Sequence, residues 1–259
     1  MDCTKSIFAG KPVDFEVIDV HVHYGDAGTY QLCGSEAEGI VHTMGRLGMD
    51  LCCCCGNSAA SDWYYINENV AKGMDRYPDK LKGYVVVNPF YEDLDPAFWF
   101  ERSPGFIGLK VLACVQGDLP LDHPRYHRFY EYADRHNLPV LVHTWIAREV
   151  NEMFRMAQKY PNARFICAHS ALTNRPAKEA LIEGMKICDN VVADTAISEI
   201  YDGALEWIAD KIGTDRLVYG SDFITFECSH ILGRVAMSKL TDDDKEKIFS
   251  RNAKQWLKL

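Results

Sequence analysis

Asp19-Val20-His21-Val22-His23 closes the apolar run from Phe15 to Val20, and its reading decides the fold. The run predicts a strand over 16–23. Side chains alternate on a strand, so His21 and His23 point the same way, and Val22, with Ile18 and Val20, forms the opposite, apolar face. Two imidazoles on one face make half of a metal site. A metal takes further ligands, so later strands should end in suitable residues.

They do. Leu138-Pro-Val-Leu-Val-His143 and Ala163-Arg-Phe-Ile-Cys-Ala-His169 are apolar runs ending in histidine. Arg216-Leu-Val-Tyr-Gly-Ser-Asp222 ends in aspartate, and Gly105-Phe-Ile-Gly-Leu-Lys110 ends in lysine. Each polar residue leads into a loop and then a helix-like stretch. One such histidine is ordinarily a structural residue; an ordered set of them reads as a metal site.

Strand and helix signals alternate along the chain. Strands are predicted near 16–23, 49–55, 82–88, 105–111, 138–143, 163–168, 190–195 and 216–221. A capping box, Ser35-Glu-Ala-Glu38, opens a helix ending near Gly48. Helices are expected from Ser61 to Tyr77, Pro124 to Asn137, Ala147 to Tyr160, Arg175 to Cys188 and Glu199 to Ile212, with two short closing helices in Thr241 to Leu259. Pro96 and Pro104 leave room only for a short helix in 91–104.

Eight strand–helix units in 259 residues predict an α/β fold, a (β/α)8 TIM barrel forming a single domain over 1–259. An open doubly wound sheet would ordinarily carry a Gly-rich phosphate loop after its first strand, where this chain has His-Val-His-Tyr. Counting by twos from each candidate ligand puts Asp19, His21, His23, Gly108, Lys110, Leu141, His143, Cys167, His169, Gly220 and Asp222 inside the barrel. Ile18, Val20, Val22, Leu109, Val140, Val142, Ile166, Ala168, Leu217 and Tyr219 then face the helices. The polar groups would share one interior, at the C-terminal rim where barrel enzymes place their chemistry.

Bulk properties narrow the partners. A formal net charge of −9 with no basic stripe argues against nucleic acid and anionic membranes. No run approaches the ~18 apolar residues of a membrane span. No signal peptide is legible, so ten cysteines suggest reduced thiols and a cytoplasmic protein. The run Cys52-Cys53-Cys54-Cys55 reads as small apolar filling of a buried strand, since Cys52 and Cys55 face opposite sides. The partner expected is a small-molecule substrate, with a homo-oligomer admitted.

Taken together, Asp19-Val-His21-Val-His23, Leu-Pro-Val-Leu-Val-His143-Thr, Ala168-His169-Ser, Tyr-Gly-Ser-Asp222 and the terminal Arg251-Asn-Ala-Lys-Gln-Trp-Leu257 resemble the amidohydrolase superfamily. The resemblance covers essentially the whole chain. It is greatest to the branch that includes aminocarboxymuconate semialdehyde decarboxylase and related aromatic-acid decarboxylases. It implies that His21, His23, His143 and Asp222 ligate one zinc, with manganese, iron or cobalt as substitutes. His169 would then act beside the metal-bound water, or bind a second metal. It also implies a carboxylated Lys110 bridging two metals; read on its own, Lys110 is an ammonium that pairs with a substrate carboxylate. Asp222 and His169 are the expected catalytic pair, and Arg148 and Arg175 are candidate substrate anchors.

Asp19 is expected to orient barrel residues. His42, His127 and His136 read as helical surface or packing residues, and His123 and His230 as loop residues at the rim. The leading expectation is a hydrolase that turns zinc-activated water on a small amide, ester or lactone. The alternatives are a non-oxidative decarboxylase of a small unsaturated or aromatic acid, and a catalytically silent barrel acting as a binding protein.

Overall fold

In the computed structural model, residues 3–26, 32–57, 62–171, 175–196 and 201–259 are described. A short helix α1 (Cys3–Phe8) precedes β1 (Ile18–Tyr24), α2 (Ala37–Leu47), β2 (Leu51–Gly56), α3 (Trp63–Arg76), β3 (Leu81–Val86), α4 (Pro96–Arg102) and β4 (Phe106–Val111). The second half runs α5 (Pro124–His136), β5 (Pro139–Val142), α6 (Ala147–Lys159), β6 (Arg164–Cys167), α7 (Arg175–Met185), β7 (Val191–Asp194), α8 (Ala204–Ile212), β8 (Leu217–Val218), α9 (Cys228–Ala236), α10 (Asp242–Glu246) and α11 (Asn252–Leu257). The strands form one parallel sheet in sequential order from β1 to β8. Val20 N donates to Tyr219 O at 2.9 Å and Asp222 N to His21 O at 2.8 Å, which brings the last strand back to the first. The fold is the (β/α)8 barrel.

Local chemistry sets the helix ends. Asp62 accepts from Tyr64 N and Tyr65 N to open α3, Asp95 caps α4 ahead of Pro96, and the His123 ring caps α5 ahead of Pro124. Gly48 and Asn137 close α2 and α5 in the left-handed conformation. The expected capping box at Ser35 does not form: Glu36 is the N-cap and makes no side-chain cap bond. The Ser35 hydroxyl bonds Asp26 instead. Two helices are absent from the sequence reading. One is α1. The other is α9, whose N-cap Glu227 accepts from Ser229 N and His230 N, so His230 is helical and does not lie in a loop. The closing segment runs on from α10 to α11 through a wider π-helical turn at Lys247–Arg251. Ser61 and residues 199–200, expected to be helical, lie outside the described residues.

Two apolar layers follow from the barrel. The outer one, between strands and helices, holds Val22, Cys52, Cys54, Leu109, Val140, Val142, Phe165, Cys167, Leu217 and Tyr219. The inner one holds Ile18, Val20, Cys53, Cys55, Tyr84, Val86, Leu141, Ile166, Ala168, Val192 and Val218. Ala253 and Leu257 of α11 join it beside Leu51 and Ile107 near the strand starts, so this helix stops the end opposite the candidate site. Among the described residues, no helix is long and apolar enough to cross a membrane.

The alternation expected of the strands is corrected in two places. Ile18 and Val20 lie in the inner layer because the β1–β2 register slips by one between Asp19 and Val22. Ile166 and Ala168 are also inner, and Cys167 is outer. A straight continuation of β6 would therefore aim His169 at the helices. His169 and Ser170 instead take positive φ, 65° and 49°.

Candidate metal centre

Each left-handed residue costs about 1–2 kcal/mol outside glycine. At the barrel mouth those costs are met by specific bonds. His169 N donates to Asp194 Oδ1 at 2.6 Å, and the Ser170 hydroxyl donates to the Asp194 carbonyl. Asp222 also has positive φ, 60°, and its N–H is held by His21 O. Both turns bend a strand end back over the barrel axis. Asp19 braces the same junction, accepting from His21 N and Ser221 N, each at 3.0 Å, and from the Ser221 hydroxyl. Burial raises the Asp19 pKa to about 7, so its hydrogen bonds oppose a real desolvation cost. Gly220 is needed for space: a Cβ there would lie 3.0 Å from His21 Cβ and 3.1 Å from Asp194 Cβ.

The result is a contiguous histidine cluster. His21 lies 5.3 Å from His23 and 5.2 Å from His169, ring to ring, and His143 lies 4.7 Å from His169. Asp222 Oδ1 is 2.9 Å from His23 Nε2 and 3.4 Å from His21 Nε2. His21, His23 and Asp222 each offer a ligand atom within 4.8 Å of the others, and so do His21, His169 and Asp194. His143 is not in either group: its Nδ1 is 3.0 Å from His169 Nε2, and its ring stacks on Trp145.

Asp194, at the end of β7, was not singled out in the sequence. Its Oδ2 is 2.9 Å from His21 Nδ1. A carboxylate there accepts a hydrogen bond from Nδ1–H and leaves the lone pair on His21 Nε2. The rule that found the other residues, a polar residue ending a β-rich run, applies equally to Val191-Val-Ala-Asp194. Cys55 was also missed as a site residue. Its sulfur is 3.7 Å from His23 Nδ1.

Electrostatics favour a cation. Burial lowers the pKa values of His21 and His143 well below the ordinary value and that of His169 to about 4, so their lone pairs are free of protons near neutrality. Burial would raise the Asp222 pKa, but His21 and His23 outweigh it and hold the group far below the usual carboxylate range. Burial also works against charge on His23, yet Cys55 and Asp222 raise its pKa to about 9, so a metal there competes with a proton. Asp222 Oδ1 and His169 Nδ1 are buried with no hydrogen-bond partner among the described residues. A buried unsatisfied group costs about 1–3 kcal/mol, more if charged. A divalent ion bound by this nitrogen–oxygen set would relieve that cost, so the residues fit such an ion.

The remaining candidates fall in different places. Lys110 is fully buried, with Nζ 2.9 Å from His21 Nε2. Arg148 pairs with Asp118 at 2.9 Å, and Arg175, 88% exposed, pairs with Glu179 at 2.7 Å. No described contact joins either arginine to the cluster. His123, the N-cap of α5, points its ring nitrogen at Arg125 N.

The sequence model of the amidohydrolase family (Amidohydro_2) matches residues 57–259. The chain belongs to the amidohydrolase family. No curated protein sequence matches it. Among solved structures, this amidohydrolase is similar to a dihydroxybenzoic acid decarboxylase from a Polaromonas species, solved with manganese and 2-nitroresorcinol. That match has a TM-score of 0.74 at 16% identity and covers 95% of this chain and 97% of the other. It is also similar to a 5-carboxyvanillate decarboxylase from Novosphingobium aromaticivorans, with TM-score 0.72, 14% identity and coverage of 95% and 97%. A third is a probable 2-pyrone-4,6-dicarboxylic acid hydrolase from Acinetobacter baumannii, with TM-score 0.73, 12% identity and coverage of 94% and 100%. At these identities the likenesses speak for the fold. Membership of the amidohydrolase family supports an enzyme over the silent barrel.

Proposed function

We propose that this amidohydrolase is a metal-dependent, non-oxidative decarboxylase of a small planar acid, aromatic or conjugated. The observation that carries the reading is one buried His21–His23–Asp222 group beside an aromatic wall. Trp145, 38% exposed, stacks on His143 with ring centroids 5.5 Å apart and meets His169 edge-on at 5.7 Å. A flat ring fits against such a wall, and offset or edge contacts of this kind are worth about 0.5–1.5 kcal/mol beyond burial. This reverses the order of the sequence expectations, where hydrolysis led. The structural likeness to two aromatic-acid decarboxylases supports the change.

Zinc or manganese suits the ligand set, and the Polaromonas decarboxylase was solved with manganese. His21 and His23 would bind through Nε2 and Asp222 through Oδ1, while His143, outside that group, contacts His169 through Nδ1. When bound, the ion would supply Lewis acidity that clamps the substrate's carboxylate or neighbouring hydroxyl. The chain's own residues do the rest. Lys110, as an ammonium, neutralises a substrate carboxylate. Asp222 and His169 hold and move the proton delivered to the ring carbon that bears the carboxylate. The bond to the carboxyl carbon then breaks, its electron pair restores the ring, and carbon dioxide leaves. Trp145 shields one side of the site from water.

The test is a panel of hydroxybenzoates, lactones and amides given to the metal-loaded protein. Carbon dioxide should be released from at least one hydroxybenzoate in step with substrate loss. Trp145→Ala should raise the KM of that substrate by about 10-fold, following the stacking energy above. Turnover confined to lactones or amides would refute the decarboxylase and restore the hydrolase, which the fold likeness to the pyrone hydrolase keeps as the second reading.

A further inference from the structure

We infer that Cys55 is a positioning residue of the metal centre: its thiol holds the His23 ring with the proton on Nδ1, so that Nε2 is presented as a ligand. The inference rests on the metal reading of His23 and not on the choice of reaction. A polar side chain or carbonyl behind a ligating histidine sets its tautomer and ring angle. For His21 that partner is Asp194. Among the described residues no carboxylate meets His23 Nδ1; the sulfur of Cys55 does, at 3.7 Å.

The second contact of that sulfur favours one direction for the bond. Cys55 Sγ is 3.5 Å from the carbonyl oxygen of Val22, which can only accept. The thiol proton goes to Val22 O, and the sulfur lone pair is left to accept from His23 Nδ1–H. The position is set by the sheet, because Cys55 lies beside His23 in the parallel β1–β2 register. Cys55 is fully buried in the inner layer with Cys53, while Cys52 and Cys54 pack outward. The four consecutive cysteines therefore do different things: Cys52, Cys53 and Cys54 fill space, and Cys55 orients a ligand.

The experiment measures manganese and zinc affinity of the full chain by competition with a chromogenic chelator, without substrate. Cys55→Ala should lose about 10–100-fold in affinity, the usual cost of removing a partner behind a ligating histidine. Cys55→Ser should recover most of it, because a hydroxyl can donate to Val22 O and accept from Nδ1–H. A merely structural role would not give that rescue, since serine fills a buried apolar site no better than alanine. Nitrogen-15 histidine spectra of the zinc-loaded wild type should show the proton of His23 on Nδ1, which keeps the test alive if the alanine variant fails to fold. Wild-type affinity in Cys55→Ala, or no rescue by serine in a folded variant, would each overturn the inference while leaving the metal site intact; a proton on Nε2 would overturn it together with His23 Nε2 as a ligand. A wild type that binds neither metal overturns both.

Discussion

Asp222→Asn should abolish turnover without unfolding the barrel. The substitution keeps the size of the side chain and removes the anion that His21 and His23 surround at 3.4 and 2.9 Å. Losing a group that moves the proton typically costs ~10²–10⁴-fold in kcat, and weaker metal binding adds to that. The residue sits at the mouth, away from the helix–strand layer, so the thermal midpoint of the metal-free protein should stay close to wild type. Near-normal kcat on a true substrate would remove Asp222 from the mechanism.

His21→Ala should give the largest loss of bound metal. Among the described residues, His21 belongs to both clusters that could hold an ion. It is also the point where Asp194, Lys110 and Asp222 converge, with Asp194 on Nδ1 and the other two on Nε2. Removing it takes away a ligand and the group that orders its neighbours. The affinity loss should exceed the ~10–100-fold typical of deleting a partner behind a ligand. Metal content measured by mass spectrometry after dialysis checks this, and unchanged content would rule His21 out as a ligand.

Most of the barrel was legible because each strand is a short apolar run with its own punctuation, and hydrophobic period plus cap residues are local properties. Pro124 marks a helix start that the structure reproduces. The residues at strand ends were legible for the same reason. What could not be read was backbone conformation. Parity counting brought His169 to the right place by the wrong route: β6 points Cys167 outward, and a left-handed turn held by Asp194 swings His169 back. That turn depends on a hydrogen bond across 25 positions of sequence, which no local pattern contains. The slip in β1, which moves Ile18 and Val20 inward, is likewise a property of strand pairing. Asp194 and Cys55 were missed because each looks ordinary in its own strand and gains its role only from a histidine on β1. Ser35 failed as a cap because Asp26 competes for its hydroxyl.

The central claim is that these strand ends build one divalent-metal centre. An anomalous diffraction map from crystals of the manganese-loaded protein tests it most directly. The account predicts one peak in contact with His21 Nε2, His23 Nε2 and Asp222, with Lys110 unmodified. Two peaks bridged through a carboxylated Lys110 would contradict the single-metal site and turn the chemistry toward hydrolysis, and a map with no peak in the barrel mouth would contradict the metal centre itself.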